Sequence, residues 1–156
     1  MKKLLIIGGV IVAIFIAIIV LSNKSDEAKL KDNPYGTDKL HKSTIALIGN
    51  ENYSNIALPD EVFSKIDAGE PTVVYYFHPE CQYCMQMTPV MMPIAKEMGV
   101  DVLQYNMLEF GDEAFEKYGI DAWPALVYYK DEKEVIKTVG AQPEENIRAF
   151  FTEVQQ

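Results

Sequence analysis

The chain has 156 residues and a formal net charge of −9, with 23 acidic against 14 basic side chains. So acidic a chain, with no basic stripe, excludes nucleic acid as a partner. Apolar content of 49% and aromatic content of 11% supply a core and exclude wholesale disorder.

Residues 4–21 form an unbroken run without a charge, preceded by Lys2 and Lys3 and followed by Ser22-Asn23-Lys24-Ser25. Its length spans a bilayer core and exceeds the apolar stretch of an ordinary signal peptide. No small-x-small site closes it. Residues 1–21 are therefore expected to be an uncleaved signal anchor that meets the lipid bilayer through residues 4–21. The export-signal layout and a single pair of cysteines fit an oxidising compartment. The expectation is a single-pass cell-membrane protein with an extracytoplasmic C-terminal domain.

Residues 22–43 are polar, with Asn33-Pro34-Tyr35-Gly36 as a turn, and read as a tether. His41 falls in it and reads as a solvated linker residue. Residues 44–156 form the domain. A weakly signalled strand covers 54–58, and Pro59-Asp60-Glu61 opens a helix that Ala68-Gly69 closes. Residues 72–77 are β-branched and aromatic without polar alternation, which predicts a strand buried on both faces. A helix over 81–98 stops at Gly99. A strand over 101–106 and a short helix over 112–118, ended by Gly119, follow. Strands over 125–130 and 134–139 flank Asp131-Glu132-Lys133 as a hairpin. An amphipathic helix over 143–154 ends the chain. The class is α/β, of βαβαββα order, with one mixed sheet and helices on both faces.

Cys81 and Cys84 are the only cysteines, and they open the long helix after the central strand. A helix N-terminus carries unpaired N–H groups and partial positive charge, which favour a thiolate. The backbone N–H groups of Gln82 and Tyr83 are expected around the Cys81 sulfur. Cys84 lies one turn along the same face, within reach for a disulfide. Cys81, at the exposed end, is the expected nucleophile, and Cys84 the resolving thiol. Glu80 opposes the thiolate by like charge, whereas a protonated His78 favours it. The rival readings are half a zinc site, for which only His78 and His41 remain as further donors, and an inert bridge, which would close too short a loop to stabilise much. The methionines at 87, 91, 92 and 98 fall at helical spacing and read as core.

Four landmarks in order resemble the thioredoxin superfamily over about residues 54–154. They are Cys81-Gln82-Tyr83-Cys84, Pro89 within the same helix, Tyr118-Gly119-Ile120 followed by Trp123-Pro124, and Val139-Gly140-Ala141. With its apolar leader, the chain looks like a membrane-anchored extracytoplasmic thioredoxin-like protein of bacteria. The resemblance implies a thioredoxin fold and a thiol:disulfide oxidoreductase whose redox group is the Cys81–Cys84 disulfide, with neither a cofactor nor a metal. It implies a cis Trp123–Pro124 bond beside the dithiol, and a substrate groove formed by Trp123, Pro124, Gln82 and Tyr83. The implied partners are extracytoplasmic protein thiols and disulfides, and a membrane redox protein that recharges the pair. Two departures stand out: Tyr75 replaces the family's buried aspartate, and Glu80 its tryptophan before the first cysteine. The alternatives are a Cu(I)-handling metallochaperone using Cys81, Cys84, His78 and Met85, and a non-catalytic interaction module.

Overall fold

The computed structural model describes residues 2–156, which fall into two compact units, one ending at Asp38 and one running from Lys39 to Gln156. The first unit is dominated by helix α1, Lys2–Lys31. It is long and apolar enough to cross a membrane, a criterion that a signal sequence also meets. The helix runs on beyond the apolar run into residues expected to be a polar tether. Lys24, Asp26, Glu27, Ala28 and Lys29 tolerate or favour helix, and extending a formed helix costs far less than starting one. It ends at Lys31; just beyond, the side-chain amide of Asn33 donates to the carbonyl of Leu30 at 2.7 Å, and Pro34 follows.

The second unit contains α2 (Lys42–Leu47), a single 3₁₀ turn (Glu51–Tyr53), α3 (Pro59–Asp67), β1 (Thr72–Phe77), α4 (Gln82–Met98), β2 (Val102–Asn106), α5 (Met107–Tyr118), β3 (Ala125–Lys130), β4 (Lys133–Val139) and α6 (Glu144–Val154). From β1 onward the order is βαβαββα, as expected. The strand order is β2-β1-β3-β4, with β1 parallel to β2 and antiparallel to β3, and β3 antiparallel to β4.

The alternation of β1 splits the core into two layers. Val73, Tyr75 and Phe77 face α4 and α6, meeting Met87, Met91, Ile147, Phe150 and Phe151. Val74 and Tyr76 face the other way, toward Val62 and Ile66 of α3 and Ala114 of α5. A strand between two apolar layers needs no polar alternation, which is why residues 72–77 read so clearly. Gly99 and Gly119 take left-handed φ of 68° and 63° and end α4 and α5. Asp131 and Glu132, with φ of 52° and 65°, form the two-residue turn between β3 and β4.

Three features differ from the sequence reading. The expected strand at 54–58 is only a single parallel bridge, Ile56 to Gln104. The segment and the turn before it are held instead by the buried Gln104 side chain, which accepts from Asn55 N–H at 3.0 Å and donates to the Asn52 carbonyl at 2.8 Å. Helix α5 begins earlier than residue 112, because Asn106 caps it by accepting from Leu108 N–H at 3.0 Å. It bends at Phe110, just before Gly111. Helix α2 had no sequence signal.

His41 is not a free linker residue. Glu109, in the first turn of α5, has a side chain only 8% exposed. Its carboxylate accepts from Thr44 Oγ1 at 2.6 Å, His41 N–H at 3.0 Å and His41 Nδ1 at 3.2 Å. Burial works to raise its pKa, but the hydrogen bonds from Thr44 and His41 outweigh burial and hold it below the usual carboxylate value. A depressed folded pKa stabilises the fold above the ordinary carboxylate range, and that stability is lost as pH falls toward the folded value. Glu109→Gln is therefore expected to cost about 2 kcal/mol at pH 7. At pH 3 the cost should be smaller. Urea titrations at both pH values check this, and an equal loss at both would contradict it.

Candidate active site

Cys81 is the N-cap of α4, the position next to the helix end that the sequence placed it at. Its Sγ accepts from the Cys84 N–H at 3.2 Å. The amide that reaches it is thus Cys84's, one turn on, in place of the expected Gln82 and Tyr83 amides. On the other side Cys81 Sγ faces the carbonyl oxygen of Trp123 at 3.9 Å. The Trp123–Pro124 peptide bond is cis. Pro124 is buried, whereas Trp123 is 39% and Tyr83 64% exposed, and Gln82 is exposed too. The structure therefore brings Cys81 and Trp123 together at one surface, with Gln82 and Tyr83 on the adjoining turn.

Cys81 is partly exposed and Cys84 wholly buried, and both are free thiols. Burial pushes the Cys84 thiol up to about 12, and its hydrogen bond with Cys81 adds to the rise. Behind it lie hydroxyls. Tyr75 and Thr88 are hydrogen-bonded at 3.0 Å, and Thr88 Oγ1 donates to the Cys84 carbonyl at 2.8 Å. Tyr75 Oη also approaches that carbonyl at 3.5 Å. Burial raises the Tyr75 pKa well above its ordinary value, so its phenol stays neutral. Apart from tyrosines and Cys84, the buried polar residues among those described are Thr44, Thr72, Thr88, Gln104 and Asn106, none of them an acid or a base. No buried carboxylate serves Cys84.

His78 stacks on Trp123, with ring centres 5.1 Å apart and planes at 16°. Its Nδ1 accepts from Glu80 N–H at 3.1 Å, which leaves the proton of the neutral ring on Nε2. Desolvation lowers the His78 pKa against the opposing pull of Glu80, so at neutral pH the ring is uncharged. The protonated His78 considered from sequence is thus disfavoured by its partial burial. The Glu80 carboxylate accepts from Ser43 Oγ at 3.0 Å.

Among the described residues no group of three or more His, Cys, Asp or Glu side chains is placed to hold a metal ion. Met85, the soft donor considered for Cu(I), has its Sδ engaged by the Tyr53 hydroxyl at 3.3 Å.

A family model described as Thioredoxin matches residues 55–153. The chain belongs to the thioredoxin family. It is similar to Thioredoxin C-2 of Corynebacterium nephridii, 31% identical over 88 residues, covering 55% of this chain and 81% of that protein. It is likewise similar to a thioredoxin of Alicyclobacillus acidocaldarius, 28% identical over 106 residues, covering 66% of this chain and all of the relative. Among solved structures, the Malassezia sympodialis thioredoxin superposes with a TM-score of 0.57 at 21% identity, over 65% of this chain and 90% of its own. That likeness concerns the fold. Family membership and the Cys-x-x-Cys pair together support thiol:disulfide oxidoreductase activity.

Within this thioredoxin domain, the sequence reading missed the groups that back and flank the dithiol. Thr88 sits four residues after Cys84, so helical spacing alone could have found it. Tyr53 and Ser43 come from segments without a clear secondary-structure signal, and only the fold brings them to α4 and to Glu80.

Proposed function

We propose that the chain is a membrane-tethered thiol:disulfide oxidoreductase that acts on extracytoplasmic protein thiols and disulfides through Cys81 and Cys84. Residues 1–21 anchor it, residues 22–43 lead to the domain, and the domain lies outside the cytoplasmic membrane. The observation that carries the redox reading is the placing of the two sulfurs. One is at a helix N-cap, open to solvent beside the Trp123 carbonyl; the other is buried directly behind it.

In the reducing direction the Cys81 thiolate attacks a substrate disulfide, forming a mixed disulfide and releasing one substrate thiolate. Cys84 gives up its proton and attacks the Cys81 sulfur. A Cys81–Cys84 disulfide forms and the second substrate thiolate leaves, so the substrate gains two electrons. The oxidising direction is the same path in reverse, and a membrane redox protein resets the pair. Trp123, Gln82 and Tyr83 form the wall along which an extended substrate lies, paired to the backbone before Pro124.

Mixing the reduced chain with a disulfide-containing protein should consume one Cys81/Cys84 dithiol per disulfide cleaved, and no consumption would remove the reading. Trp123→Ala is expected to raise KM for a protein substrate about tenfold with little change in kcat. An unchanged KM would remove Trp123 from the groove. Protease added to intact spheroplasts should degrade the domain, and its protection there would place it on the other side.

A further inference from the structure

Helix α2 precedes the family-matched region, yet it reaches the nucleophile's neighbour. Its fixing points are specific. Thr44, wholly buried, donates to Glu109 and accepts from Asn106 Nδ2 at 3.2 Å, and His41 adds its two bonds to the same carboxylate. Ile45 and Leu47 are buried as well. So held, α2 presents the Ser43 hydroxyl to Glu80 Oε1 at 3.0 Å. Glu80 is bonded to Cys81 and carries the charge next to the nucleophile, and its backbone N–H is tied to His78.

We propose that Ser43 is a positioning residue for the redox reaction: seated on α2 by Glu109, it holds the Glu80 carboxylate and limits how strongly that charge opposes the Cys81 thiolate. The inference rests on Cys81 being the nucleophile. A hydroxyl donating to a carboxylate offsets part of its charge and confines it to one rotamer. Without the donor the carboxylate of the residue preceding Cys81 loses that restraint and that offset of its charge, and its repulsion of a developing thiolate increases.

The test is the rate of iodoacetamide alkylation of Cys81 across pH 6–9, on the full chain in detergent micelles with Cys84→Ser in all variants. Ser43→Ala is expected to slow alkylation at pH 7 by about twofold to threefold, and Glu80→Gln to speed it by a similar factor. Ser43→Thr, which keeps the hydroxyl, should retain the parent rate. In the Glu80→Gln background, Ser43→Ala should have no further effect, because its action passes through the carboxylate. A Ser43→Ala rate equal to the parent's, or a slowing that persists in the Glu80→Gln background, would overturn the proposal. Should the parent Cys81 react no faster than a free thiol and capture no substrate, the proposed function itself fails, a distinct outcome.

Discussion

A Cys84→Ser variant of the full chain is expected to accumulate mixed disulfides with extracytoplasmic proteins, every one through Cys81. Cys81 lies at the surface and Cys84 behind it, so removing Cys84 leaves capture intact and deletes release. The Cys81→Ser variant should capture nothing, and turnover of a protein substrate should fall by several orders of magnitude, as when other nucleophiles are removed. Non-reducing gels of membranes from cells carrying each variant read the result directly. Adducts through Cys84 in the Cys81→Ser variant would reverse the roles. Absence of adducts from both would leave a thioredoxin domain that does not act on protein thiols.

The second large effect lies in the pH dependence of release. Cys84 is wholly buried, its thiol is pushed up to about 12, and the groups behind it are the neutral hydroxyls of Tyr75 and Thr88. At neutral pH only a small fraction is thiolate, and that fraction rises about tenfold per pH unit. Resolution of a preformed Cys81–substrate disulfide by Cys84 should therefore accelerate about tenfold per unit between pH 7 and 9, with no plateau. Stopped-flow or quenched-flow release of a labelled peptide thiol measures it. A plateau below pH 8 would mean that some base, not evident among the buried side chains, takes the proton from Cys84.

How much of this was legible in the sequence depends on the range of the interactions involved. Residues 72–77 announced a doubly buried strand because local composition alone decides burial on both faces. Gly99 and Gly119 marked helix ends because a left-handed cap is a single-residue requirement. Cys81 and Cys84 stood out as the only cysteines, three apart at a helix start, while the cis Trp123–Pro124 bond and the replacement of a buried acid by Tyr75 followed from ordered landmarks of the family. What the sequence hid is long-range. His41 looked like a linker residue because its partner, Glu109, lies 68 positions away. Ser43 gave no hint of Glu80, 37 positions on. The protonation of His78 turned on its burial, which exists only once the chain folds around the residues preceding Cys81. Helix α1 passed the end of the apolar run because helix continuation depends on its neighbours as much as on polarity.

Differential labelling of the two thiols distinguishes an open sulfur from a shielded one. The reduced native chain, treated briefly with iodoacetamide at pH 7 and mapped by mass spectrometry, should carry the modification on Cys81 with Cys84 protected, and both should label once the chain is unfolded. Equal labelling of the two in the native protein, or faster labelling of Cys84, would contradict the assignment of an open attacking sulfur backed by a shielded resolving one.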